Sequence, residues 1–191
     1  MGRGDHLLDA LVRVVADGGI AAVSVRAVAA EAGVSVAQVQ YYFRTKEELV
    51  TAAYKHVADG LLERVRALDL SGPPRDALRR VLHVWLPVDE ARSRDAKVWL
   101  TFAAAAPVSP AIGPLSAEMD GDLKRWLAGF LGEAQRADAL DPALDPDVEA
   151  ALILAVQDGL VVQALVLPER ERAALVVAAM DTYLDRLFAG R

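Results

Sequence analysis

Apolar residues recur at intervals of three and four along most of the chain, and the rhythm breaks where glycine, proline or a capping residue stands. That period is helical, so the pattern predicts an all-α protein of about nine helices. Leu7, Leu8, Leu11, Val12 and Val15 make the apolar face of a first helix that stops at Gly18-Gly19. Ser24 caps a short helix bearing Val25, Val28 and Ala29, and Gly33 ends it in the left-handed conformation that glycine adopts cheaply. Ser35 caps a third helix with Gln38 three residues on, as in a capping box; Thr45 caps a fourth, with Glu48 in the corresponding place. The fourth helix is expected to run to Leu68.

DLSGPP (69–74) is the first clear break. Helices are expected over 75–86, 90–105, 115–137, 146–166 and 169–188, separated by PVSPAIGP (107–114) and DPALDP (141–146), with Pro168 in the first turn of the last. No internal repeat and no low-complexity tail interrupts this. Residues 150–167 approach the length of a membrane span. Gln157, Asp158 and Gln163 sit in the middle of that stretch, where a charge in lipid costs about 3 kcal/mol or more. A helix buried on several sides in a soluble assembly is the better reading.

The formal charge is −6 over 191 residues, which by itself argues against a basic nucleic-acid binder. The sum hides an asymmetry. Residues 1–56 carry six basic and six acidic side chains, leaving 15 basic and 21 acidic in the remainder. A neutral head and an acidic body permit DNA binding by the head alone. With no cysteine there is no disulfide, thiol nucleophile or thiolate metal site. The N-terminal apolar stretch is broken by Asp9 and Arg13, so no signal peptide is expected and the location indicated is the cytoplasm. There is no His-Glu-x-x-His pair, Gly-rich phosphate loop or nucleophile elbow, so neither an enzyme nor a metal or cofactor site is expected.

GVSVAQVQYYFRTKEEL (33–49) sets an aromatic run beside basic residues. Two short helices joined through Gly33 make a helix-turn-helix with a third helix in front. The exposed positions of its second helix suit base reading. Gln38 or Gln40 pairs with adenine through two hydrogen bonds, and Val36 or Ala37 touches a thymine methyl. Gln38 is equally suited to be the box partner of Ser35.

The run SVRAVAAEAGVSVAQVQYYFRTKEELV resembles the DNA-binding head of the TetR family of bacterial repressors, through Ser24, Arg26, Val28, Ala29, Ala32, Gly33, Val34, Ser35, Val39, Tyr42, Phe43, Lys46, Glu47 and Leu49. KVWLTFAAAA and VAAMDTYLDRL are similar to segments of its BetI-type branch. The resemblance implies a helix-turn-helix domain over 1–48 and a ligand-binding and dimerisation domain over 49–191. It implies that Val39 and Phe43 face the core, that Tyr41 meets the DNA backbone, and that Lys46 meets a phosphate at the start of the fourth helix. Tyr42 has either a backbone role or that of a half-buried wedge, and Arg26 and Arg44 are weaker backbone candidates. The DNA-facing set is Ser24, Arg26, Ser35, Val36, Ala37, Gln38, Gln40, Tyr41, Tyr42, Arg44 and Lys46. The sequence departs from the commonest family pattern, which has a basic residue near 36, Thr near 38 and Tyr near 40, so the operator is not legible.

The resemblance also places an effector pocket among the central helices. Its candidates are Trp85, Trp99, Phe102, Trp126 and Phe130, with His83, Gln157 and Asp158 as polar groups inside apolar helices. Each has a plain alternative as a core or interface residue. Ala155, Gly159, Val162 and Val166 form a small-residue stripe, and with Val176, Met180 and Leu184 they are expected to join the last two helices to a second copy. The function implied is a homodimeric, ligand-responsive repressor of a palindromic operator. Its partners are double-stranded DNA, itself and a small apolar or amphipathic effector, with no membrane. An activator, or a regulator that needs no effector, remains the alternative.

Overall fold

The computed structural model describes residues 3–189 and contains, among them, nine helices and no strand. These are α1 (Arg3–Ala22), α2 (Val25–Ala32), α3 (Val36–Tyr42), α4 (Lys46–Arg66), α5 (Pro74–His83), α6 (Glu90–Ala105), α7 (Gly113–Arg136), α8 (Pro146–Leu165) and α9 (Glu169–Phe188). The chain forms two compact units. One holds residues up to Glu63 with Lys97–Ser116; the other holds Arg64–Ala96 with the residues from Ala117 on.

The first unit closes on Leu7, Leu11 and Val15 of α1, Val28 and Ala29 of α2, Val39 of α3, and Leu49 and Ala53 of α4, all buried. Phe102 joins this core by meeting the Tyr54 ring edge to face at 5.3 Å. The boundary expected at 48/49 therefore falls inside both α4 and this unit, because α4 runs unbroken and keeps one face on the same core.

Local signals set the ends of the short helices. Ser24 Oγ accepts from Ala27 N–H at 3.1 Å, Ser35 Oγ from Gln38 N–H at 3.2 Å, and Thr45 Oγ1 from Glu48 N–H at 3.0 Å. The Glu48 carboxylate returns to Arg44 N–H at 2.6 Å, one residue before the cap. Gly33 ends α2 at φ 65°, ψ 32°, a left-handed conformation, and its N–H bonds back to Ala29 and Ala30. The break expected at Gly18-Gly19 occurs at Gly19 (φ 66°, ψ −173°), where α1 kinks and then resumes to Ala22.

The second unit packs Leu78, Leu82 and Leu86 against Leu127 and Leu131 of α7, Ala150, Ile153 and Ala164 of α8, and Val176, Met180, Leu184 and Leu187 of α9. α5 stops at His83, short of the expected residue 86, and the chain turns so that Leu86 is buried just before Pro87, which disfavours helix in the residue ahead of it. Arg79 binds Asp181 with two bonds, Nε at 2.7 Å and Nη2 at 2.9 Å, clamping α5 to α9. Arg75 adds a second bridge to Asp185 at 2.6 Å. Arg172 donates to the carbonyls of Ala164 and Leu167, satisfying the end of α8, and to Ser93 Oγ.

Here the expected interface needs correction. Val176, Met180 and Leu184 lie inside this unit's own core, because their stripe is the one α9 turns toward α8 and α5. α8 is the described helix long and apolar enough to cross a membrane. Its composition has a simpler cause, since both of its faces are apolar. One carries Ala150, Ile153, Val161 and Ala164 into the core; the other carries Val148, Leu152, Val162 and Val166 outward.

Candidate nucleic-acid interface

α3 is held to the first unit by Val39, which is fully buried. That anchor turns positions 36, 37, 40 and 41 the other way, onto one face of a seven-residue helix. Val36, Ala37, Gln40 and Tyr41 are all exposed, and Gln38 is half-buried. Tyr41 is 81% exposed and stands edge to face with Tyr42 at 5.1 Å, so the two rings brace each other while both keep open surface. Phe43, half-buried and extended (φ −134°, ψ 117°), ends the helix behind them. A short helix with Gln, Tyr and small apolar side chains on its free face has the dimensions and chemistry to enter a major groove.

Around that face stand Ser24, Arg26, Ser35, Arg44 and Lys46, all exposed. The two serine oxygens are engaged as caps, which leaves each hydroxyl hydrogen to donate outward. Lys46 Nζ donates to Ala21 O at the end of α1, 3.1 Å away. That carbonyl is a weaker partner than a phosphate, so the ammonium is poised to exchange one for the other. Arg13, by contrast, is held by Glu31 at 2.5 Å.

The body candidates are divided between the two units. Trp99 and Phe102 belong to the first unit, and the other six to the second. Phe102 is a core residue packed against Tyr54. His83 Nε2 lies 3.0 Å from Asp181 Oδ1, inside the α5–α9 clamp. Burial and then the neighbouring Arg79 push its pKa down, which favours the neutral imidazole. Trp126 stacks on Phe130 with ring centres 5.6 Å apart and keeps an open face, while Trp85 and Trp99 are half-buried.

Gln157 and Asp158 point different ways. Gln157 faces inward, and neither its amide oxygen nor its nitrogen has a partner. Asp158 keeps open surface on one side, yet its carboxyl is pushed up to about 6 by burial and then by the like charge of Asp120, against the pull of Lys124. Asp120 is raised by burial as well. The Tyr183 phenol, its hydroxyl buried and unpartnered, is pushed up to about 12 by burial and by Glu149. Tyr183 and the role of Asp120 beside Asp158 escape a reading of the sequence, because the pairs Tyr183–Glu149 and Asp158–Asp120 each join two helices.

Ala155, Gly159, Val162 and Val166 do share the outward face of α8, with Val148 and Leu152 completing the row. A Cβ added at Gly159 meets open space, so nothing within the protomer requires glycine there. Among the described residues no group of three or more His, Asp or Glu is placed to hold a metal.

Residues 7–53 match the family described as bacterial regulatory proteins, tetR family, and residues 74–189 match that described as BetI-type transcriptional repressor, C-terminal. The HTH-type transcriptional regulator PksA of Bacillus subtilis is 30% identical over 88% of this chain and 81% of its own length. The nicotine-responsive transcriptional repressor HdnoR of Paenarthrobacter nicotinovorans is 28% identical over 97% and 95%. Among solved structures, a transcriptional regulator from Rhodococcus sp. Rha1 superposes with a TM-score of 0.88 at 32% identity, covering 99% of this chain and 97% of that one. A regulator from Saccharomonospora viridis, crystallised with choline, shares the fold with a TM-score of 0.82 at 23% identity, over 98% and 95%.

Proposed function

The chain belongs to the TetR family of bacterial transcriptional regulators, with a BetI-type C-terminal domain, and from that premise we propose that it is a homodimeric repressor that leaves its operator when a small molecule binds the body. It is a regulator and not an enzyme. The observation that carries the reading is α3: a helix anchored by one buried valine, its opposite face free, ringed by Ser24, Arg26, Arg44 and Lys46. Gln40, with Val36 and Ala37, reads base edges; Tyr41, Arg44 and Lys46 meet the backbone on either side. The outward row on α8 brings two copies together, so that the operator is a palindrome with half-sites spaced by whole helical turns. A relative named as nicotine-responsive and a structural neighbour crystallised with choline support a small organic effector. The site of action is the cytoplasm, where the DNA is.

Selecting bound DNA from a random pool with the full chain should return a two-fold symmetric sequence. On that sequence Lys46→Ala should weaken binding to all DNA alike and lower the salt slope by about one unit, as the loss of one phosphate contact does. Gln40→Ala should instead lose about 1–3 kcal/mol at particular base pairs and leave the salt slope alone. A Lys46→Ala protein with altered sequence preference and an unchanged salt slope would show these roles to be wrongly assigned.

A further inference from the structure

Among the described residues the buried polar side chains are Ser93 and Gln157. Ser93 is bonded, to Arg172 Nη1 at 2.7 Å. Gln157 is 5% exposed and bonds to nothing in the protein through either amide atom. Its position explains why no partner is at hand. In mid-helix the neighbouring backbone groups are taken by the ladder of α8, and a glutamine stem is too long to fold back onto the preceding turn as Thr101 does onto Lys97 O. The other inward positions of α8 are Ala150, Ile153, Val161 and Ala164, which offer no polar atom.

A leucine or methionine would fill the same volume without the penalty of an unbonded buried amide. Such an orphan calls for an explanation, and a partner that comes from outside the chain supplies one. The amide presents one donor and one acceptor side by side, and its best complement is a group presenting the same pair reversed. The inward face of α8 itself carries no charged residue, so the helix offers a bound molecule no balancing charge.

We propose that Gln157 is the polar anchor of the effector site and selects a neutral molecule in which an N–H and a carbonyl stand side by side, a lactam or cis-amide, on an apolar frame. This rests on the proposed effector response and names the chemistry that response would recognise. The amide would close two hydrogen bonds with the ligand, and the apolar neighbours one turn away on either side of it, Ile153 and Val161, are both buried.

The test uses the full-length protein at fixed concentration with three probes, 2-pyrrolidinone, δ-valerolactam and ε-caprolactam, and their N-methyl counterparts, which lack the donor. At least one lactam should move the side-chain amide NMR resonance of Gln157 saturably, that resonance being assigned by its absence from Gln157→Met. The N-methyl counterpart should bind about tenfold more weakly or worse, since one of the two bonds is gone. Without ligand, Gln157→Met or Gln157→Leu should melt above the wild type, because the orphan is removed. If no lactam moves the resonance, or the N-methyl compound binds as well, the assignment is overturned. Lower melting of both variants would also overturn it, by showing that Gln157 is held by a structural partner. Failure of the regulator reading is a separate result: the wild-type chain would then recover no discrete DNA sequence, whatever the lactams do.

Discussion

Asp158 holds its proton more tightly in the folded chain than in the unfolded one, with a carboxyl pushed up to about 6 from an ordinary 3.8. Whatever stability this group contributes is therefore complete below about pH 4 and lost as the pH rises through about 6. Asparagine mimics the protonated form at every pH. Asp158→Asn should accordingly melt with the wild type near pH 4, pull ahead of it between about pH 4 and pH 6, and keep a constant lead above about pH 7. Asp181 has the opposite sign: Arg79 first, then His83, holds its carboxyl low, so its contribution fades as acid is added. That contribution is common to both proteins and cancels from their difference. A lead that is the same at every pH would mean that Asp158 titrates normally. Asp120→Asn should give a smaller effect in the same direction, since the like charge is the second cause of the shift and burial the first.

At the scale of helices, what was legible in the sequence was what depends on near neighbours. Ser24, Ser35 and Thr45 each accept a bond from three residues ahead, and Gly33 supplies its own backbone angle, so α2, α3 and the start of α4 fall where the residues place them. What a helix turns toward is a different question. His83 and Asp181 meet across 98 positions, and no local pattern distinguishes their clamp from a ligand contact. α9 likewise showed one apolar stripe in Val176, Met180 and Leu184 without showing that the protomer itself would claim it. α8 carries two stripes, and the second remains uncovered. Positions 148, 152, 155, 159, 162 and 166 alternate steps of four and three, the seam along which two helices pack at a shallow angle. Gly159→Leu adds bulk to that seam, and its Cβ meets nothing within the protomer. The variant should fold its helices, as circular dichroism would show, yet sediment as monomer or aggregate and bind no operator. If it sediments as a normal dimer, Gly159 is outside the interface.

For the molecule as a whole, the tryptophans are a built-in reporter. Trp85, Trp99 and Trp126 lie on or beside α5, α6 and α7, and none lies in α1–α4 or in the last two helices. Trp85 and Trp126 belong to the second unit, so their emission should be nearly blind to DNA contact and responsive to an effector in the body. Operator should shift an effector titration followed by this emission to higher concentration, by the same factor by which effector weakens operator binding, because coupling between two binding sites is reciprocal. A titration unmoved by saturating operator would show that the compound is not the inducer. The uncovered row on α8 has a further consequence, for the supply of the protein rather than its action. A newly synthesised copy carries Val148, Leu152, Val162 and Val166 bare until something covers them, and a bare apolar row is where chaperones hold and aggregates begin. On the proposed pairing through this row, two copies must meet before either is safe, so output from a scarce message should fall faster than in proportion to synthesis. Damage to the seam then shows itself in the cell as missing protein, cleared by proteolysis, rather than as an idle soluble monomer.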